Sequence, residues 1–428
     1  MLCLINSIFV ANYYSFIHYP QVHLPTAKVK QIKKIIYYKD ILILALTCVG
    51  GPGTHLALFI KRLVDEKQYL SQKEFLDIYA FCQILPGPTS TQTITAIGYR
   101  MGGPARAFAT LLIWILPASI IMTFLGISYK YYQEVSPNKD FLKYLQPMAV
   151  GFILVAAIKI FKIIRTKRIN IFLFFGAALL ASLQFLGPYA YPLIILLGGA
   201  IAMRYNKQSG VVYKKPKIKI RWRNLTYFFV VFVVAVVSAA IVKITDGIDE
   251  ARPFLVFENS YRFGSLVFGG GNVLIPMMYE QFVSFKHYLT SEEFITGVGF
   301  VQAIPGPVFS LSAYTGSMIM KDWGIPWQIL GGLIGTIAIF LPGALFIMFL
   351  YPIWNKVKKH PLVTRAFDGI AAASAGLIFA AAYLLFRGIE YYEWQNILVI
   401  VATVLLLLYT KIPSPLVVIL TLALGFII

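Results

Sequence analysis

Two stretches hold the residues whose types and spacing could do chemistry. They are "FCQILPGPTSTQ", Phe81 to Gln92, and "FVQAIPGPVFSL", Phe300 to Leu311. Gln83 and Gln302 lie 219 positions apart, and each is followed by the same pattern, Pro86-Gly87-Pro88 and Pro305-Gly306-Pro307. A proline removes a backbone donor and clashes with the preceding turn. A helix entering each stretch should therefore end near Leu85 and near Ile304. Pro88 and Pro307 suit the first turn of a new helix. Such a break leaves free carbonyls on one side and free amides on the other. The amide end carries about half a positive charge and can bind an oxyanion without a charged side chain. Thr89, Ser90, Thr91 and Gln92 would add hydroxyl and amide donors, as would Ser310 and Ser312, with Gln83 and Gln302 reaching from the preceding turn. The competing reading is a kink made for packing. Duplication of the break, each time beside polar residues, favours a site.

The elements that would position these residues are legible nearby. Ser71 with Glu74, and Thr290 with Glu293, have capping-box spacing and should start the two helices that break. The glycine stretches "VGGPGTH", Val49 to His55, and "FGGGNVLIP", Phe268 to Pro276, also correspond. Their glycines permit close backbone approach to a ligand or to another helix. Gly51, Pro52, Gly53, Thr54, Gly270, Gly271 and Asn272 are candidate substrate contacts, with close helix packing as the alternative. "GGGN" lacks the Gly-Lys-Ser/Thr ending of a phosphate-binding loop.

Composition sets the solvent. The chain of 428 residues is 58% hydrophobic and 13% charged, against roughly 25% charged in soluble domains. Apolar runs long enough to cross a bilayer recur. We expect an all-α polytopic membrane protein with about 13 spans, near 38–60, 75–100, 105–130, 143–163, 169–186, 189–204, 225–244, 257–279, 293–318, 327–352, 363–386, 393–410 and 414–428. The net charge of +20 sits mostly in short loops, as the positive-inside rule describes, so nucleic acid is not an expected partner. Basic clusters at Lys28–Lys39, Lys159–Arg168, Arg204–Arg223 and Lys356–Arg365 are separated by even numbers of spans and should share the cytoplasmic side. Cys3, Cys48 and Cys82 sit in apolar surroundings and suggest neither a disulfide framework nor a metal site; no cofactor is expected. The first 34 residues make a poor signal peptide and read as an extension, interfacial or outside the fold.

The correspondence extends well beyond the two stretches. At the same offset Lys67, Tyr69, Leu70, Glu74 and Phe75 fall on Lys286, Tyr288, Leu289, Glu293 and Phe294. After six more residues, "ILPA" from Ile115 matches "FLPG" from Phe340, and Gly151 matches Gly376. Seven expected spans separate equivalent points, so the halves should be inverted. We divide the chain into an extension (1–34), a first transmembrane repeat (35–204), a basic linker with a connecting helix (205–255) and a second repeat (256–428). Inverted repeats with paired broken helices are an architecture of secondary transporters, which bind substrate near the midplane.

From about residue 35 onward the chain resembles the chromate ion transporter family in its long, two-domain form. "GGPGTHLALF", "FCQILPGPTSTQ", "GYRMGG", "FGGGNVLIPMM" and "FVQAIPGPVFSLSAYTG" carry the resemblance. Gly51, Pro52, Gly53 and His55 fit the family's first motif. Val49 stands where a phenylalanine often precedes the glycines, and Phe268 keeps it in the second half. The resemblance implies a secondary carrier of chromate, a tetrahedral dianion shaped like sulfate. It further implies efflux across the plasma membrane, driven by the proton-motive force.

Charged residues complete the candidate set. Arg62, Lys67, Arg100 and Arg106 flank the first break and could funnel an anion; as an alternative they anchor at the interface. Arg100, directly after the second half-helix, is the favoured one. Asp65, Asp77, Glu280 and Asp368 are possible intramembrane carboxylates. Among them Asp77 and Glu280, together with His55, are the proton-coupling candidates. An intramembrane enzyme is disfavoured because His-Glu-x-x-His, Gly-x-Ser-x-Gly and an embedded Gly-x-Gly-Asp are absent, and an ATP-driven pump because no Walker motif is present. The expected partners are the bilayer and a small oxyanion, chromate with sulfate as the alternative cargo, and a homodimer is left open.

Overall fold

The computed structural model describes residues 34–49, 52–135, 143–164, 167–183, 190–205, 223–245, 251–267, 271–354, 361–387, 394–410 and 412–427. Among these residues the structure is helical and contains no strand. The first helices are α1 (Lys34–Thr47), α2 (Pro52–Phe59), α3 (Gln72–Ile84), α4 (Thr89–Val135), α5 (Leu145–Ile164), α6 (Arg168–Ser182) and α7 (Ala190–Tyr205). Then come α8 (Arg223–Thr245), α9 (Arg252–Leu266), α10 (Gly271–Tyr279), α11 (Ser291–Ala303), α12 (Leu311–Ile319), α13 (Ile325–Leu350), α14 (Pro361–Arg387), α15 (Trp394–Tyr409) and α16 (Ser414–Ile427). The described residues from Tyr38 onward pack as one unit.

Among the described residues, four helices are long and apolar enough to cross a membrane, within Thr89–Tyr132, Leu225–Val242, Ile325–Ile353 and Asp368–Arg387, and five further apolar helices are 10–17 residues long. Some of the expected spans are pairs of shorter helices. The stretch near 75–100 is α3 plus the start of α4, and the stretch near 293–318 is α11 plus α12. At 13 residues each, α3 and α11 fall short of the ~20 residues a full crossing needs. The long α4 is itself interrupted at Gly102 and Gly103, where Gly103 has φ 72°, a value that favours glycine.

Local geometry repeats at the offset read from the sequence. Both capping boxes form: the Ser71 and Thr290 side chains accept from the amides of Glu74 and Glu293, whose carboxylates accept from the cap amides. Before each box, a wide π-type turn replaces the α-helix at Ile60–Glu66 and Glu280–Phe285. Each such turn leads to a non-glycine residue with positive φ, Gln68 at 51° and His287 at 52°. The half-helices end at Leu85 and Ile304, both extended. The second half-helix begins one residue later than the proline rule suggested. Pro88 accepts the first bond of α4 from Gln92, and Pro307 caps a short 3-10 turn, Val308–Ser310, that leads into α12. Neither proline has an amide to leave unpaired, so each fits just outside the helix as well as inside it.

Close helix crossings hold the core. Gly264 on α9 faces the Ile339 carbonyl on α13, and Gly316 on α12 and Gly331 on α13 face each other's carbonyls, so a methyl group at any of the three would collide with backbone. This is the small-residue packing typical of helices in lipid, where apolar burial alone does not drive association.

Candidate functional site

The two broken helices meet. At each break a glycine takes a left-handed conformation, Gly87 with φ 115° and Gly306 with φ 116°. The Gly87 amide donates to the Val267 carbonyl (2.6 Å) and the Gly306 amide donates to the Cys48 carbonyl (2.8 Å). Cys48 and Val267 are themselves 219 positions apart. Each break is thus tied to the chain just ahead of the glycine stretch of the opposite half. Added side chains would not fit: a Cβ on Gly306 would lie 2.5 Å from that of Ala118, and one on Gly87 would lie 2.9 Å from Gln92 Nε2.

Between the breaks lies a narrow cavity of about 10 Å³, room for about one water. His55, Thr89 and Ser90 line it from the first half, and Gly271, Val308 and Phe309 from the second, with Pro88 and Pro307 at its edge. A tetrahedral oxyanion of five heavy atoms exceeds one water, so binding one would require the cavity to widen. The amides of Thr89, Ser90 and Thr91 precede the first intrahelical bond of α4, so this helix start keeps its donors for a ligand.

The surrounding polar groups are fixed or waiting. Gln92 Nε2 donates to the Pro86 carbonyl (2.6 Å) and so holds the break open, while its buried Oε1 has no partner. Trp114 Nε1 donates to Thr91 Oγ1 (3.1 Å). The hydroxyl of Ser310 is buried without a hydrogen bond. His55 is 1% exposed. Its ring meets Trp114 edge-on (centroids 5.5 Å) and Phe59 (6.1 Å). The Cys48 carbonyl lies beside it, yet neither ring nitrogen makes a hydrogen bond of regular geometry. An unsatisfied buried pair of this kind calls for an explanation.

The other sequence candidates are placed as follows. Ser312 does not face the cavity; its hydroxyl donates to the Gly335 carbonyl (3.1 Å) and pairs with the Ser260 hydroxyl (2.9 Å). Thr54 and Gln83 are exposed, and Gln302 is half-buried; none lines the cavity. Arg100 is ion-paired with the capping Glu74 and is likewise not a lining residue. In the second half Lys321 pairs with Glu293. Each half therefore closes its pair of half-helices with the same carboxylate and a base from the far end. Arg62 is held by Asp40 (2.6 Å) and Glu66 (2.8 Å), Lys67 lies 4.0 Å from Asp40, and Arg106 donates to the Met101 carbonyl. Asp368 binds Lys167. Asp77 is half-buried, and Glu280 is buried within its π-type turn beside Tyr191; neither reaches the cavity. Gly51 and Gly270 lie outside the described residues, as do the side chains of Pro52 and Asn272.

Sequence reasoning passed over one buried pair. On α9, Arg262 donates to Glu258 (2.8 Å) and to Asn259 (2.6 Å), with side-chain exposures of 8% and 15% for the ion pair. The signal was present as an i,i+4 pair of opposite charge.

An all-α fold with helices apolar and long enough to cross a bilayer fits an integral membrane protein. The profile of the chromate transporter family matches residues 37–203 and 254–426, and the chain belongs to that family. It is similar to an uncharacterised transporter of Methanocaldococcus jannaschii, with 26% identity over 91% of this chain and 93% of the relative. It is also similar to a chromate transport protein of Cupriavidus metallidurans, with 22% identity over 92% of both chains. A probable chromate transport protein of Synechococcus elongatus is 24% identical over 79% of this chain and 81% of its own. No solved structure matches.

Proposed function

We propose that this protein is a secondary active transporter that exports chromate across the plasma membrane, driven by the proton-motive force. The observation that carries the reading is the cavity between the two breaks. Helix-start amides and hydroxyls reach it from the first half and the backbone turn at Pro307 from the second. Partners of that kind suit an oxyanion that must bind and leave again, because no lining side chain holds a fixed charge to trap it. The names of the relatives above support chromate as the cargo.

We read the two halves as inverted repeats with substrate between them, and the chain as a carrier and not an enzyme. The family profile matches once in each half, and among the described residues α8 is the helix between them, as an odd crossing would require. Within this reading Thr89 and Ser90, the Thr91 amide and the backbone of Gly271 form the substrate set, with Gly87 and Gly306 holding the two breaks in place. Export of a dianion also fits the energetics. Two negative charges leaving a negative-inside cell gain about 4.6 kcal/mol per 100 mV.

Chromate accumulation in cells expressing the chain, with and without a protonophore and with sulfate as competitor, tests this. Lower accumulation that the protonophore reverses is the expected result. Higher accumulation suppressed by sulfate would instead make the protein an importer of sulfate-like anions.

A further inference from the structure

Of the three proton-coupling candidates, His55 lines the cavity built from amides and hydroxyls, and Asp77 and Glu280 do not. His55 lines the cavity directly, is almost wholly removed from solvent, and leaves both ring nitrogens without regular hydrogen bonds. A neutral imidazole needs one donor and one acceptor to be satisfied. An imidazolium needs two acceptors and no donor. A tetrahedral oxyanion offers only acceptors, and the Cys48 carbonyl beside the ring offers another.

The charge balance points the same way. The groups around the ring are Phe59 on its own helix, Trp114 and Thr89 to Ser90 on α4, Gly271 on α10, and the Pro307 to Phe309 turn. None of these carries a charge or titrates. Cys48 is the titratable neighbour from the segment before α2, and it is buried. Along the same helical run the first cations are Lys61, which is exposed, and Arg62, which is committed to Asp40 and Glu66; neither lines the cavity. A dianion entering this cavity would therefore meet no fixed positive side chain among the described residues.

We propose that His55 takes up one proton together with the oxyanion, so that proton and dianion occupy the cavity as a unit. This rests on the transport reading above. The imidazolium donates one N–H to the anion and one to the Cys48 carbonyl, and it halves the buried net charge. By reciprocity the anion favours the proton as much as the proton favours the anion. Release of the anion then returns a neutral ring, and the proton leaves with it. The pair would carry one net negative charge, so the potential component drives export while the pH component opposes it.

The test is equilibrium binding of sulfate, a dianion throughout, and of chromate to the purified full-length protein across about pH 6 to 8, the range where histidine titrates. For the wild type we expect sulfate affinity to weaken by up to about tenfold per pH unit, the slope of one linked proton. His55→Gln should bind more weakly at the acid end and lose the slope. A pH-independent wild type, or a slope that survives in His55→Gln, would overturn the role of His55 and leave the oxyanion site standing. A folded wild type that binds neither oxyanion at any pH would overturn the transport reading and this one with it. Should His55→Gln fail to fold, proton uptake by the wild type on sulfate addition, read in weak buffer with an indicator dye, decides the matter. About one proton per sulfate supports the proposal, and none contradicts it.

Discussion

The Gly87 amide is bonded to the Val267 carbonyl at 2.6 Å, and the equivalent Gly306 amide to the Cys48 carbonyl at 2.8 Å. The two breaks are thereby exchanged between halves, each tied where the other half opens its glycine stretch. Both glycines are left-handed. A side chain there costs about 1–2 kcal/mol from backbone strain alone, before the contact with Ala118 or Gln92. We expect Gly87→Ala and Gly306→Ala each to lower chromate flux at least about tenfold in proteoliposomes and to lower Tm by a few degrees. Unchanged flux in both variants would remove the breaks from the transport path.

The paired carboxylates make a prediction about unequal partners. Glu293 is buried beside Lys321, while Glu74 is half-exposed beside Arg100. Breaking a buried pair costs about 3–5 kcal/mol, and an exposed one typically below 1 kcal/mol. Glu293→Gln should therefore depress Tm clearly more than Glu74→Gln, although both retain an oxygen for the capping box. Thermal unfolding in detergent, read side by side, checks it; equal shifts would mean that burial is not what separates them.

The Glu258–Arg262 pair gives a third expectation. Arg262→Met alone leaves a buried carboxylate without its partner and should destabilise by about 3–5 kcal/mol. Glu258→Gln combined with Arg262→Met removes both charges and should recover much of the loss. Cycle analysis of the two single variants and the double variant measures the coupling. Additive losses would show that the pair is solvated and not buried.

The cavity's glycine wall is a fourth case. A Cβ at Gly271 would lie 2.6 Å from Val308 Cβ. Gly271→Ala should displace the Pro307 turn and weaken transport, and Val308→Ala placed beside it should restore space. Flux of the double variant closer to wild type than that of Gly271→Ala is the expected reading; a double variant no better than the single would deny that contact its role.

Much of the fold was legible because its signals are local. Proline, glycine and capping boxes act within a few residues, so Ser71, Thr290, Gly87 and Gly306 could be read directly. The 219-residue offset exposed the correspondence without any contact information. The count of spans was less legible, because hydropathy does not separate a crossing helix from two half-helices of 13 residues. The π-type turns at Ile60 and Glu280 leave no mark in composition. The partners of the basic residues were not legible, because Asp40 and Glu74 are brought to Arg62 and Arg100 by folding over 22 and 26 positions. His55 was legible as a titratable residue, while its unpartnered place at the cavity needed the tertiary structure.

The most direct test of the account replaces Pro86, Gly87 and Pro88 together by alanine, which lets α3 and α4 join into one helix and withdraws the amides at Thr89 to Thr91. Chromate flux into proteoliposomes is measured for this variant and for the wild type at equal incorporation. Wild-type flux with none above background in the variant is the predicted result. Full flux in a correctly inserted variant would contradict the claim that the broken helix forms the binding site.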